Sequence, residues 1–150
     1  AKLGLQSSEA EDHQLAADFL KLLEKTEADY HTVWRSLSTL AQDRKTRPEA
    51  ISADIFESHW WDQWSDRLER EDADLSDIES RLDAANPKFV LRNWVAETAI
   101  RAVEDEFDLG ALDQIFRLVT NPFAEHGEDD QKFSMPPPAD LCGLAVSCSS

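Results

Sequence analysis

Apolar residues return every three or four positions in one segment after another, and that spacing constrains the fold more than any other feature. In LAADFLKLLEK, Leu15, Phe19, Leu22 and Leu23 share one side of a helix. DYHTVWRSLSTL repeats the pattern with Tyr30, Val33, Trp34, Leu37 and Leu40, and ESHWWDQWSDRLER with Trp60, Trp61, Trp64 and Leu68. DLSDIESRLDAA carries Leu75, Ile78 and Leu82. No run alternates at period two, so the chain is expected to be all-α, with about six to seven helices. RPEAISADIF reads as a short helix with Pro48 in its first turn. In NPKFVLRNWVAETAIRAVEDE, Asn86 is the expected N-cap and Pro87 the first helical residue. Leu91, Trp94, Val95, Thr98, Ala99, Ala102 and Val103 would line that helix's inner side. In DLGALDQIFRLVT, Asp108 is the expected N-cap, and Leu109, Leu112, Ile115, Phe116 and Val119 the buried face.

The pattern stops at Asn121. The remainder is acidic, contains Pro136, Pro137 and Pro138 in a row, and shows no helical period. A polyproline stretch is extended and has no internal hydrogen bonds. The expected organisation is therefore a helical region over 1–120 and an extended, Pro-rich C-terminal arm over 121–150, lying on its own domain or on another.

Charge excludes several function classes. The 150 residues carry a formal net charge of −16. Such a chain repels a nucleic-acid backbone and an anionic membrane surface. No apolar run is long enough to span a bilayer, and no secretory signal opens the sequence. Ala1 in place of Met leaves either a trimmed start or a piece of a longer polypeptide. The two cysteines, Cys142 and Cys148, both lie in the last nine residues. That is no disulfide framework and fits a reducing compartment.

Each fragment that looks chemical has a plainer reading. Asp108-Leu109-Gly110 resembles a kinase metal-binding triplet, but the chain has only four glycines and no phosphate-binding loop; an Asp N-cap explains the same letters. His126, Cys142 and Cys148 could offer three metal ligands, but their spacing matches no closed zinc pattern, so no metal site is expected. Trp60, Trp61 and Trp64 could stack on a sugar or base; helical spacing favours packing. Arg92 and Asn93 break an apolar segment. They either brace a loop within this domain or dock against another domain. Cys148 is either a tail thiol without a role or a mobile thiol able to exchange with a distant partner. Cys142 is a possible second thiol, although the pair lacks the C-x-x-C spacing of a thiol oxidoreductase.

AKLGL, DYHTVWRSLS, NPKFVLRNWVAETAI, NPF, the proline run and the terminal VSCSS together resemble the C-terminal part of the selenoprotein O family. Those proteins are kinase-like enzymes that transfer AMP from ATP to protein hydroxyls. The resemblance implies that ATP and Mg²⁺ are bound upstream, and that no catalytic, cofactor-binding or metal-binding residue falls within this chain. It implies an upstream kinase-like domain and protein substrates as partners, with no nucleic acid or membrane. The compartment would be the bacterial cytoplasm, or the mitochondrion in a eukaryote. Cys148 occupies the antepenultimate position, which is selenocysteine or cysteine in the family. There the resemblance implies a redox disulfide with a cysteine of the kinase-like core. Two departures stand: no Trp follows the prolines, and Cys142 precedes Cys148 by six residues. Without the resemblance, the chain reads as a stand-alone acidic helical module for a basic partner protein.

Overall fold

The computed structural model describes residues 1–42, 46–48 and 51–142, and is all-α, with no strand among them. Seven α-helices are described: α1 (Asp12–Lys25), α2 (Tyr30–Gln42), α3 (Ala53–Phe56), α4 (His59–Glu69), α5 (Leu75–Ala85), α6 (Asn93–Glu106) and α7 (Leu109–Thr120). The chain divides into two compact units, Ala1–Pro87 and Lys88–Ser150.

In the first unit α2 lies against α5, and α1 against α4. Short polar side chains set the helix starts. Ser52 accepts from the Ile55 N–H, Ser58 from Trp61 and Asp74 from Ser76. Each satisfies a backbone donor that the helix itself cannot. The core joins Phe19, Val33, Trp34, Leu37, Ile55, Leu68, Ile78 and Leu82 to Trp60, Trp61 and Trp64. The tryptophans are packing residues and form no exposed platform. Phe19 stacks on Trp60 with ring centroids 4.0 Å apart, and the Trp60 and Trp64 indoles donate to the Leu15 and Leu3 carbonyls. Leu3 is held inside by a turn at Gly4, where φ is +75° and a Cβ would come within 2.8 Å of Leu82 Cγ. Glycine is required there on both counts.

Two expected helix starts are displaced. Pro48 lies outside a helix, and the short helix begins only after Ser52, which supplies a side-chain acceptor where Pro48 has none. Asn86 does not cap α6; it ends α5. Its side chain is buried, donating to the Lys2 carbonyl and accepting from Lys2 Nζ, while its own carbonyl accepts from Arg35. Residues 88–92 run on without helix. The Lys88 and Phe89 N–H groups both donate to the Pro122 carbonyl, and α6 starts at Asn93. Local capping signals at Asn86-Pro87 were outcompeted by two long-range contacts.

The second unit pairs α6 with α7. Asp108 caps α7, accepting from Gly110 and Ala111. The core is Phe89, Trp94, Val95, Ala99, Ile115, Leu118 and Phe133. The expected inner face of α7 is corrected here. Ile115 and Leu118 are buried, whereas Leu109, Leu112 and Phe116 are exposed. Leu91, expected inside α6, is also exposed and precedes that helix.

Candidate functional site

Arg92, Asn93 and Cys142 all fall within the second unit, which also contains residues 121–142 of the C-terminal arm. Residues 121–142 do not run free. Glu128–Ser134 form a 3-10 helix, which the absence of a 3.6-residue period concealed, because its turn closes in three residues. Phe133 enters the core and stacks on Trp94, centroids 5.9 Å apart and planes within 16°. Asp130, on the same turn, is buried. Its carboxylate accepts from the Gln114 side chain, from Arg117 Nη2 at 3.1 Å and from the Gly127 N–H at 3.2 Å. The Gln114 hydrogen bond, helped by Gly127, Arg117 and His126, outweighs burial and holds this carboxyl below the usual range. Neither Phe133 nor Asp130 was marked by the sequence, because both sit in an acidic stretch whose letters read as solvated loop.

Arg92 is the next anchor. It holds the N-cap position of α6, and its Nη1 donates to the Met135 carbonyl at 2.7 Å, immediately before the three prolines. This bond braces the loop within its own unit. Asn93 opens α6 and is exposed. Beyond Pro138, Ala139–Leu141 make one 3-10 turn, and Leu141 packs on the core. Cys142 is exposed, with Sγ 3.8 Å from the Pro137 carbonyl. Cys148 lies outside the described residues. His126 is engaged by the Asn121 carbonyl at 2.9 Å and meets Phe89 edge-on.

The first unit holds a second polar centre that the sequence did not reveal. The Arg67 side chain is buried and pairs with Asp12 at 2.8 Å and Glu71 at 3.0 Å. Glu71 also accepts from the Gln6 and Ser7 N–H groups and the Ser7 hydroxyl. Burial opposes the charge on Glu71, but these hydrogen bonds prevail and hold its carboxyl below the usual range. Asp12 behaves in the same way through Arg67, and Arg67 in turn is raised chiefly by its bond to Asp12. Arg67 bonds Asp12, Glu71 and the Ser7 hydroxyl, and Arg81 Nη2 approaches Glu71 Oε2 at 3.7 Å. The cluster ties the N-terminal segment to α1 and α4.

Among the described residues, no three His, Cys, Asp or Glu side chains are arranged to hold a metal ion, and no helix is long and apolar enough to cross a membrane.

The family model for the SelO protein adenylyltransferase matches residues 1–120. The chain belongs to the SelO family. Among its relatives is the protein nucleotidyltransferase YdiU of Cupriavidus metallidurans, 35% identical over 154 residues, covering 100% of this chain and 28% of the relative. The YdiU of Myxococcus xanthus is 36% identical over 155 residues, covering 100% of the chain and 31% of the relative. The YdiU of Shewanella putrefaciens is 33% identical over 160 residues, covering 100% and 32%. This SelO-family chain thus spans less than a third of the length of these relatives. The match takes in both units through the end of α7, so the paired helices α6 and α7 belong to the family's shared region.

Proposed function

We propose that this chain is the C-terminal helical region of a kinase-like protein AMP-transferase, and that it is non-catalytic by itself. The whole protein would transfer AMP from ATP to Ser, Thr or Tyr hydroxyls of target proteins, releasing pyrophosphate. ATP and Mg²⁺ would be bound by the upstream kinase-like region. The family match over residues 1–120 carries this reading. The geometry supports a supporting role: the polar centres at Arg67 and Asp130 are matched within the chain and join segments together. The setting would be the bacterial cytoplasm, or the mitochondrion in a eukaryote.

Cys148 would be the redox element. The arm leading to it is anchored by Phe133, Asp130, Arg92 and Leu141, so the last residues depart from a defined place on the second unit. Six residues separate Leu141 from Cys148. Seven spacings of roughly 3.3 Å would let a fully extended chain reach about 23 Å from the anchor. Disulfide formation with a cysteine of the kinase-like core would remove two electrons and two protons, taken up by an oxidant such as glutathione disulfide. Cys142, exposed on the anchored side, would be the competing local thiol.

The test is transfer of label from α-labelled ATP to protein, using the full-length protein, this chain and the full-length Cys148→Ser variant. Label with both full-length proteins under reducing conditions, and none with this chain, is the expected result. The Cys148→Ser variant should lose the difference between oxidising and reducing conditions while keeping the reduced activity. No label from the full-length protein with Mg²⁺ and reductant would overturn the reading and leave a binding module. Equal redox response in Cys148→Ser would overturn the role of the tail thiol.

A further inference from the structure

We infer that the open face of α6 and α7 is a docking surface for the polypeptide upstream of this chain, and that the docked element is an apolar strip edged with Lys or Arg. The inference rests on the reading above, that the chain is part of a longer protein. It deepens that reading by naming the surface.

Three observations carry it. The first is a groove of about 440 Å³ between α6 and α7, with Leu91, Ile100, Leu112 and Phe116 on its walls and Glu104 its one charged lining residue. These four side chains are exposed, Phe116 at 65%. Apolar residues concentrated on one face mark an interaction site, whereas scattered ones do not.

The second is Phe107, at the α6–α7 corner. It is 87% exposed and sits at φ +55°. Helix ends in this left-handed conformation favour glycine, because a side chain there is strained. A bulky aromatic both strained and exposed contributes little inside its own unit, and a contact made with something else would account for it.

The third is the match in lengths. Relatives align with the whole chain, yet it covers only 28% to 32% of them. Their additional polypeptide is more than twice the length of this chain. An occupant within the same polypeptide also benefits from high effective concentration.

Charge selects the occupant. Glu104 lines the groove, and Asp105, Glu106 and Asp108 are exposed at the corner where α6 gives way to α7. A second copy docked face to face would bring these acidic edges together, on molecules each carrying −16. A basic-edged apolar strip complements them instead.

Hydroxyl-radical footprinting of the full-length protein and of the monomeric 150-residue chain tests the inference. Phe107 and Phe116 should oxidise about five-fold more slowly in the full-length protein, as an exposed ring does when it loses solvent contact. Equal rates overturn the proposal, as does protection already present in the monomeric chain. Protection that appears in the chain alone as its concentration rises assigns the face to a second copy, and also overturns it. A second arm uses a protease site placed before Ala1 in the full-length protein. After cleavage, the native chain should co-elute with the upstream polypeptide and the Phe116→Asp chain should be released. Release of the native chain, or retention of the variant, contradicts the proposal. Phe107→Gly should leave the unfolding midpoint of the chain unchanged or raised, yet weaken retention; a lowered midpoint would make Phe107 a stability residue instead. Footprint and label transfer are separate readouts. Protection without AMP transfer removes the proposed chemistry and keeps the surface; AMP transfer without protection does the reverse.

Discussion

The two units handle apolar surface differently. In Ala1–Pro87 most of the large aromatic residues are inside: Phe19, Trp34, Trp60, Trp61 and Trp64 are all at most 5% exposed, with Tyr30 at the surface. In Lys88–Ser150, Phe107, Phe116 and Phe123 are exposed, and the buried core is smaller. A unit that closes its apolar surface internally is built for its own stability. One that leaves a helix pair open on one side offers a surface to a partner.

The largest expected effect strikes the closed unit. Trp64 is fully buried, and its indole donates to the Leu3 carbonyl. Trp64→Ala should cost about 4 kcal/mol through cavity formation, read by denaturant unfolding. A loss below about 1 kcal/mol would show that the first unit is as loosely completed as the second.

Arg67→Met comes next. It leaves Glu71 and Asp12 partly buried without their cation, at a cost of about 3 kcal/mol. Both carboxyls are held below their usual range. Their contribution to stability is present above the unfolded carboxylate values, about 4, and is lost as pH falls through the lower folded ones. The native chain should therefore lose stability on acidification below about pH 4, and Arg67→Met should show a smaller loss over that window. Parallel acid curves for the two proteins would mean that the cluster contributes nothing to the closed unit.

The smallest effect sharpens the account of the second unit. Asp130→Asn keeps the shape but weakens the hydrogen bonds to Arg117 and Gly127, costing about 1 kcal/mol. Its readout is local: faster amide exchange at residues 127–134, with α4 and α5 unchanged. The native arm should loosen as pH falls through the lowered Asp130 value, for the same reason of sign. Unchanged exchange at Gly127 and Asp130 would leave the arm to its other anchors, Phe133, Arg92 and Leu141.

Helix content and family were legible in the letters. The apolar period located α1, α2, α4, α5 and α7, and the Asp108 cap was read correctly, because an Asp at a helix start acts within three residues of itself. The recognised stretches led to a family that the match over residues 1–120 establishes. Sequence reasoning failed at Asn86-Pro87. Its local cap signal was sound, but Asn86 was taken up by Lys2 and the following N–H groups by Pro122. It failed again on α7, where the same amphipathic stripe had two possible inner sides.

What the sequence by itself determined is therefore what depends on near neighbours: helical period, short-range caps, charge, and the family motifs. Tertiary structure alone decided which side of α7 is buried, that Phe133 and Asp130 bring the arm back onto its unit, and that Arg67 is enclosed by carboxylates. The physical reason is distance along the chain. A cap acts across two or three residues, whereas the bond between Arg67 and Asp12 joins positions 55 residues apart, and that between Asn86 and Lys2 positions 84 apart. No local pattern records such pairings; only the folded chain brings them together.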